Sequence, residues 1–120
     1  MNYKVDYEKQ SELEKFTKSI FRKYKLKGWK IEFVLSKKIS RKTRIIAQTL
    51  PISEKILINS YSVVLINDVE KLKGCILHEI GHILNHCRPE HDENFKQICK
   101  DIGCPYDEPT FSEIEMRNRI

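Results

Sequence analysis

The sequence has no run approaching the ~20 consecutive apolar residues that cross a bilayer. No membrane-spanning helix is therefore expected. Its first ten residues, Met1 to Gln10, are polar and lack the apolar centre of a secretory signal, so cytoplasmic residence is the expectation. Cysteine is scarce and irregular: Cys75, Cys87, Cys99 and Cys104 are too few for a disulfide-held mini-protein. No CxxC pair occurs, which argues against a zinc ribbon, and the four thiols read as buried or idle. Repeats, low-complexity segments and internal linkers are also missing. Acidic residues nearly vanish from one stretch: between Arg22 and Arg44 stand ten Lys or Arg and a single acid, Glu32.

What is present describes one soluble domain over residues 1–120, with a tail from 106 to 120. Hydrophobic residues make up 40% and charged residues 32%, enough for one modest core. Residues 1–50 hold 14 Lys/Arg against 5 Asp/Glu, whereas residues 51–120 hold 8 against 12, for a net charge of +5. The basic span from Arg22 to Arg44 suits a phosphate backbone or an acidic protein. It equally suits a solvated lysine-rich face.

The pattern predicts an amphipathic helix over residues 6–27. Leu13, Phe16 and Ile20 recur at helical spacing beside Thr17, Phe21 and Tyr24. Ser11 with Glu14, or else Asp6, caps it, and Gly28 stops it. Trp29 to Leu35 alternates as a half-buried strand. Arg44 to Leu50, closed by Pro51, and Lys55 to Asn59 are two further strands. The short connections predict antiparallel neighbours. Ser60 to Ile66 reads as strand or helix. Asn67 with Glu70 marks the start of a helix running to about His86, with Val69, Leu72, Ile76, Ile80 and Ile83 inward. Pro89 opens a last helix, Glu90 to Ile102, stopped by Gly103. The expected fold class is α+β: an N-terminal helix, a small three-stranded, mostly antiparallel sheet, and two C-terminal helices.

His78-Glu79-Ile80-Gly81-His82 lies within the first of those two helices and fits HExxH. Residues four apart share a helix face, so both imidazoles reach one metal ion, with the Glu79 carboxylate beside them. Shuffling this composition produces the pattern in about one chain in a hundred, so its context matters. The apolar stripe continues on both sides of the motif, as a buried active-site helix requires. Gly81 inside a helix costs about 1 kcal/mol relative to Ala, which predicts a close backbone or substrate approach.

A catalytic zinc takes three protein ligands and leaves a fourth position for water. His86 lies eight residues from His78, about 12 Å along the axis, too far for bonds near 2.1 Å. The chain reverses at Cys87-Arg88-Pro89, so the next helix can carry His91 back over the metal face. Glu113, with Glu108 and Glu115 behind it, is the alternative from the tail. The longer pattern HExxHxxGxxH is absent, since Asn85 and Arg88 fill its last two positions.

The run Cys75 to His82, then His91-Asp92-Glu93-Asn94-Phe95, then Ile102-Gly103-Cys104-Pro105, resembles the SprT-like metallopeptidases, which include the Spartan and WLM proteases. The likeness spans residues 10–106 and is specific within 75–105. It implies His78, His82 and His91 as zinc ligands and Glu79 as the catalytic acid and base. It also implies protein substrates crosslinked to DNA. Asp92 stands where the family usually has glycine, as in WLM-type members, and the zinc ribbon or partner-binding tails of larger relatives have no room here.

The leading expectation is therefore a zinc endopeptidase, in which Glu79 takes a proton from the attacking water. Tyr61, Arg88 and Tyr106 are candidate oxyanion donors, and Trp29 and Phe33 are candidates for stacking on bases, although core packing suits both. One rival is a compact peptidase with a Glu113 ligand, kept latent by its own tail. Another is a non-catalytic domain in which zinc only staples a nucleic-acid-binding or partner-binding face.

Overall fold

The computed structural model describes residues 5–34 and 46–106. Helix α1 spans Tyr7–Lys23, and its cap is Asp6, whose side chain accepts from the Lys9 amide at 3.0 Å. Leu13, Thr17 and Phe21, each four residues from the next, form the buried stripe. Thr17 satisfies its buried hydroxyl by donating to the Leu13 carbonyl at 2.7 Å. The helix ends four residues before the predicted Lys27. Lys25 turns left-handed at φ 57° and Leu26 donates back to the Phe21 carbonyl at 2.8 Å. Gly28, at φ 89°, belongs to the turn that leads into the sheet.

Strands β1 (Lys30–Val34), β2 (Ala47–Leu50) and β3 (Lys55–Asn59) form one sheet in the order β1-β3-β2. The predicted strands are present, although the leading part of the second, Arg44 and Ile45, lies outside the described residues, as does Leu35. β2 and β3 pair antiparallel across the Pro51–Glu54 turn, with Ala47 opposite Ile58 and Thr49 opposite Ile56. β1 and β3 pair parallel, Ile31 opposite Ile56 and Phe33 opposite Ile58, so the sheet is mixed rather than mostly antiparallel. The expectation failed at this pair because β2 runs back along the far edge. A return strand replaces the crossover helix that a parallel pair otherwise needs.

The ambiguous segment is a short helix, α2 (Ser60–Leu65), capped by Asn59. Lys9 ties its end to α1 by donating to the carbonyls of Val63 at 2.6 Å and Ile66 at 3.0 Å. Helix α3 is Val69–Leu84, capped by Asp68 rather than Asn67. Helix α4 is Glu93–Ile102, capped by Asp92 and closed by Gly103 in the left-handed region at φ 78°. It starts three residues later than predicted, which leaves Pro89 to His91 in an irregular connection.

Leu13 and Phe21 of α1, Leu72, Ile76, Ile80 and Ile83 of α3, and Ala47, Ile56 and Ile58 of the sheet share the main core with Val63. Trp29, Ile31 and Phe33 pack against it half-buried. A second, smaller cluster of Leu77, Phe95, Cys99 and Cys104 joins α3 to α4. Helix α3 is thus clamped from two sides, and every residue from Gly74 to Ile83 is buried. That burial holds the HExxH segment rigid. Among the described residues no helix is long and apolar enough to cross a membrane.

Leu13 is wholly inaccessible at the centre of the main core. Leu13→Ala is expected to destabilise the fold by about 2–5 kcal/mol through lost transfer energy and the cavity left behind. A urea titration should show a lower midpoint at an unchanged slope.

Candidate metal centre

His78 and His82 project from one face of α3, and the connection before α4 delivers His91 against them. One ligand atom from each of these three residues lies within 4.8 Å of the others. His91 Nε2 stands 3.2 Å from His78 Nε2. The rings meet with centroids 4.8 to 5.1 Å apart. Two nitrogens bound to one tetrahedral ion at about 2.1 Å each would sit roughly 3.4 Å apart, so the spacing suits a shared cation.

The outward nitrogens fix which atom faces the cluster. His78 Nδ1 lies 2.7 Å from the Tyr106 carbonyl, and His82 Nδ1 lies 2.9 Å from the Arg88 carbonyl. A carbonyl only accepts, so each Nδ1 carries the proton and each Nε2 is the atom that could bind a metal ion. Phe95, fully buried, floors the cluster, with its ring stacked on His82 at 4.4 Å and edge-on to His78 and His91 at 5.1 and 4.9 Å.

Two glycines make these placements sterically feasible. A Cβ on Gly81 would stand 3.0 Å from the Phe95 ring and 3.4 Å from Cys99 Sγ. The missing side chain therefore admits the side chains of α4, rather than a backbone or a substrate. A Cβ on Gly74 would stand 2.5 Å from the Tyr106 ring and 3.2 Å from Pro105. Gly74 seats Tyr106 so that its carbonyl can orient His78. The sequence reading passed over Gly74 because its partner lies 32 positions downstream. Burial pushes the Tyr106 phenol above its ordinary pKa, with Cys75, Asp68 and Cys104 adding to it.

Asn85 organises the connection that carries His91. Its side chain is fully buried; Nδ2 donates to Asp92 Oδ1 at 3.3 Å, and Oδ1 accepts from Arg88 at 2.9 Å and from Asn94. Asp92 accepts from the Phe95 amide at 2.8 Å, which with the Asn85 amide and the Arg88 guanidinium holds its carboxyl below the usual range. That cap contributes fully above the ordinary Asp value near 3.9 and is lost as pH falls through the lowered one. Arg88, a candidate oxyanion donor by sequence, is engaged here as a brace between Asn85 and Asp92.

His86 is exposed and stands outside the cluster, as its distance along the helix required. Glu108, Glu113 and Glu115 lie outside the described residues. Cys75, Cys99 and Cys104 are buried thiols outside any disulfide, while Cys87 is half-buried with its thiol pKa raised by burial and by Glu54. Cys104 Sγ and Cys99 Sγ reach the Tyr106 carbonyl at 3.3 and 3.8 Å.

Glu79 is nearly buried, and its carboxylate Oε1 accepts a hydrogen bond from Thr49 Oγ1 of β2 at 2.7 Å. Thr49 was not singled out from the sequence. The protein-family models, the curated proteins and the solved structures contain no match to this chain. The site therefore rests on its own geometry.

Removing the buried amide with Asn85→Ala should loosen the His91 connection and lower metal affinity by roughly 10–100-fold, the usual effect of losing a group that supports a ligand. Competition with a chromophoric chelator measures it.

Proposed function

We propose that the protein is a zinc-dependent endopeptidase of the SprT-like kind, with His78, His82 and His91 as the metal ligands and Glu79 as general base. The observation that carries this reading is the pairing of a three-histidine cluster with an adjacent carboxylate fixed by a hydrogen bond to Oε1. Three imidazoles match the ligand count and the ligand type of a catalytic zinc site that keeps one position open. When bound, zinc supplies Lewis acidity, polarising a peptide carbonyl and making water a better nucleophile near neutral pH.

The chain's own residues then divide the work. Oε1 of Glu79 accepts from the Thr49 hydroxyl, and in this reading Oε2 is the atom that meets the attacking water. Glu79 takes the water's proton at that atom and returns it to the leaving nitrogen as the C–N bond breaks. The hydrogen bonds from Nδ1 of His78 and His82 keep both rings from turning. A domain in which the metal serves only as a staple has no use for a carboxylate at this position. A peptidase using Glu113 instead would retain zinc after His91→Ala.

The substrate reading is a protein held on nucleic acid. It is supported by the exposed cations Arg22, Lys23, Lys25, Lys27 and Lys30 around the end of α1 and the start of β1. The remainder of the basic span, Lys37 to Arg44, lies outside the described residues. Trp29 and Phe33 pack against the core, which favours phosphate contact over base stacking as the mode of binding.

Glu79→Gln is expected to keep full zinc content while casein cleavage falls by orders of magnitude; unchanged cleavage refutes the assignment. Affinity for single-stranded DNA should drop steeply between low and moderate salt, because phosphate neutralisation releases counterions. Fluorescence anisotropy at two salt concentrations decides this, and salt-independent binding would contradict a phosphate interface.

A further inference from the structure

We infer that Thr49 is a positioning residue for Glu79, holding the general base in its working orientation from the edge strand of the sheet. The inference rests on the peptidase reading of Glu79. It starts from register. Thr49 stands opposite Ile56, and Ala47 opposite Ile58, and both isoleucines and Ala47 belong to the main core. Residues two apart on a strand share a face, so Thr49 occupies a position at which the pattern of the sheet calls for an apolar side chain. Valine has almost the same shape and needs no partner for a hydroxyl. Threonine there is half-buried, and its hydroxyl donates to Glu79 Oε1 at 2.7 Å, with the Glu79 backbone carbonyl at 3.5 Å.

Geometry makes the contact directional. β2 is an edge strand, and α3 packs beside it. A carboxylate on a helix turns about three side-chain bonds, and a hydrogen bond from a separate element removes much of that freedom. With Oε1 fixed, Oε2 is presented in one direction. Misplacement of a catalytic group by about 1 Å costs on the order of 100-fold in rate, so a bond that sets this direction has kinetic weight.

The test compares Thr49→Val and Thr49→Ser in the full-length, zinc-loaded protein, beside wild type and Glu79→Gln. Thr49→Val is expected to lower kcat by roughly 10–100-fold with KM and zinc content unchanged. Thr49→Ser should restore most of the rate, since it keeps the hydroxyl and removes only the methyl group. In the Glu79→Gln background, Thr49→Val should add little, because the two changes disable one unit. The carbon-13 resonance of the Glu79 carboxyl reads the hydrogen bond without turnover; it should move in Thr49→Val and return in Thr49→Ser. A Thr49→Val protein with wild-type kcat, or equal losses in Val and Ser, overturns the positioning role and leaves the peptidase reading standing. Wild type and Glu79→Gln cleaving equally would instead refute the peptidase reading, and the inference with it.

Discussion

Phe95 brings the edge of its ring against α3 at Gly81, where no side chain keeps it away. The contact at Gly81 lets α4 approach α3 closely enough for an aromatic ring to slide beneath the histidines. Alanine at that position would put a methyl group 3.0 Å from the ring. His91 is four residues before Phe95, in the connection that α4's placement fixes. The distance between His91 and the two histidines of α3 is thus set by how near the two helices come. A penalty of about 1 kcal/mol for glycine in a helix is offset by the packing it permits.

A second constraint works at right angles to the first. The Asn85 amide is wholly buried at the end of α3, where it joins the connection, Arg88, Asp92 and Asn94, in one network. Buried polar groups are costly unless satisfied, so such a network has few alternative arrangements. Asp92 belongs to it and also caps α4. One residue thereby links the start of the helix to the loop that holds the third histidine. The backbone carbonyls of Arg88 and Tyr106, facing His82 and His78, come from the two segments that flank α4.

Sequence was most informative where the governing interactions are local. His78 and His82 share a face because a helix turn is 3.6 residues, and rejecting His86 needed only the rise per residue. His91 followed from a reversal read at Cys87-Arg88-Pro89, although the residue sits in the connection and not on the following helix. Helix ends shifted by one to four residues, since Asp68 and Asp92 compete with neighbouring polar residues as caps and only the folded backbone decides between them. The parallel pairing of β1 with β3 was not legible, because it depends on where a distant strand returns. Gly74 and Thr49 escaped for the same reason. Their partners, Tyr106 and Glu79, are 32 and 30 positions away, and nothing in the neighbouring residues announces them.

His86 and Cys87 both hold left-handed backbone, at φ 61° and 59°, with no glycine at either position. Such conformations cost an L-residue about 1–2 kcal/mol each. The reversal between α3 and the third histidine is therefore a loaded hinge rather than a relaxed turn. Its shape is imposed by the Asn85 network. A cation held by His91 would add a second restraint, so binding at this centre would be coupled to order in the reversal.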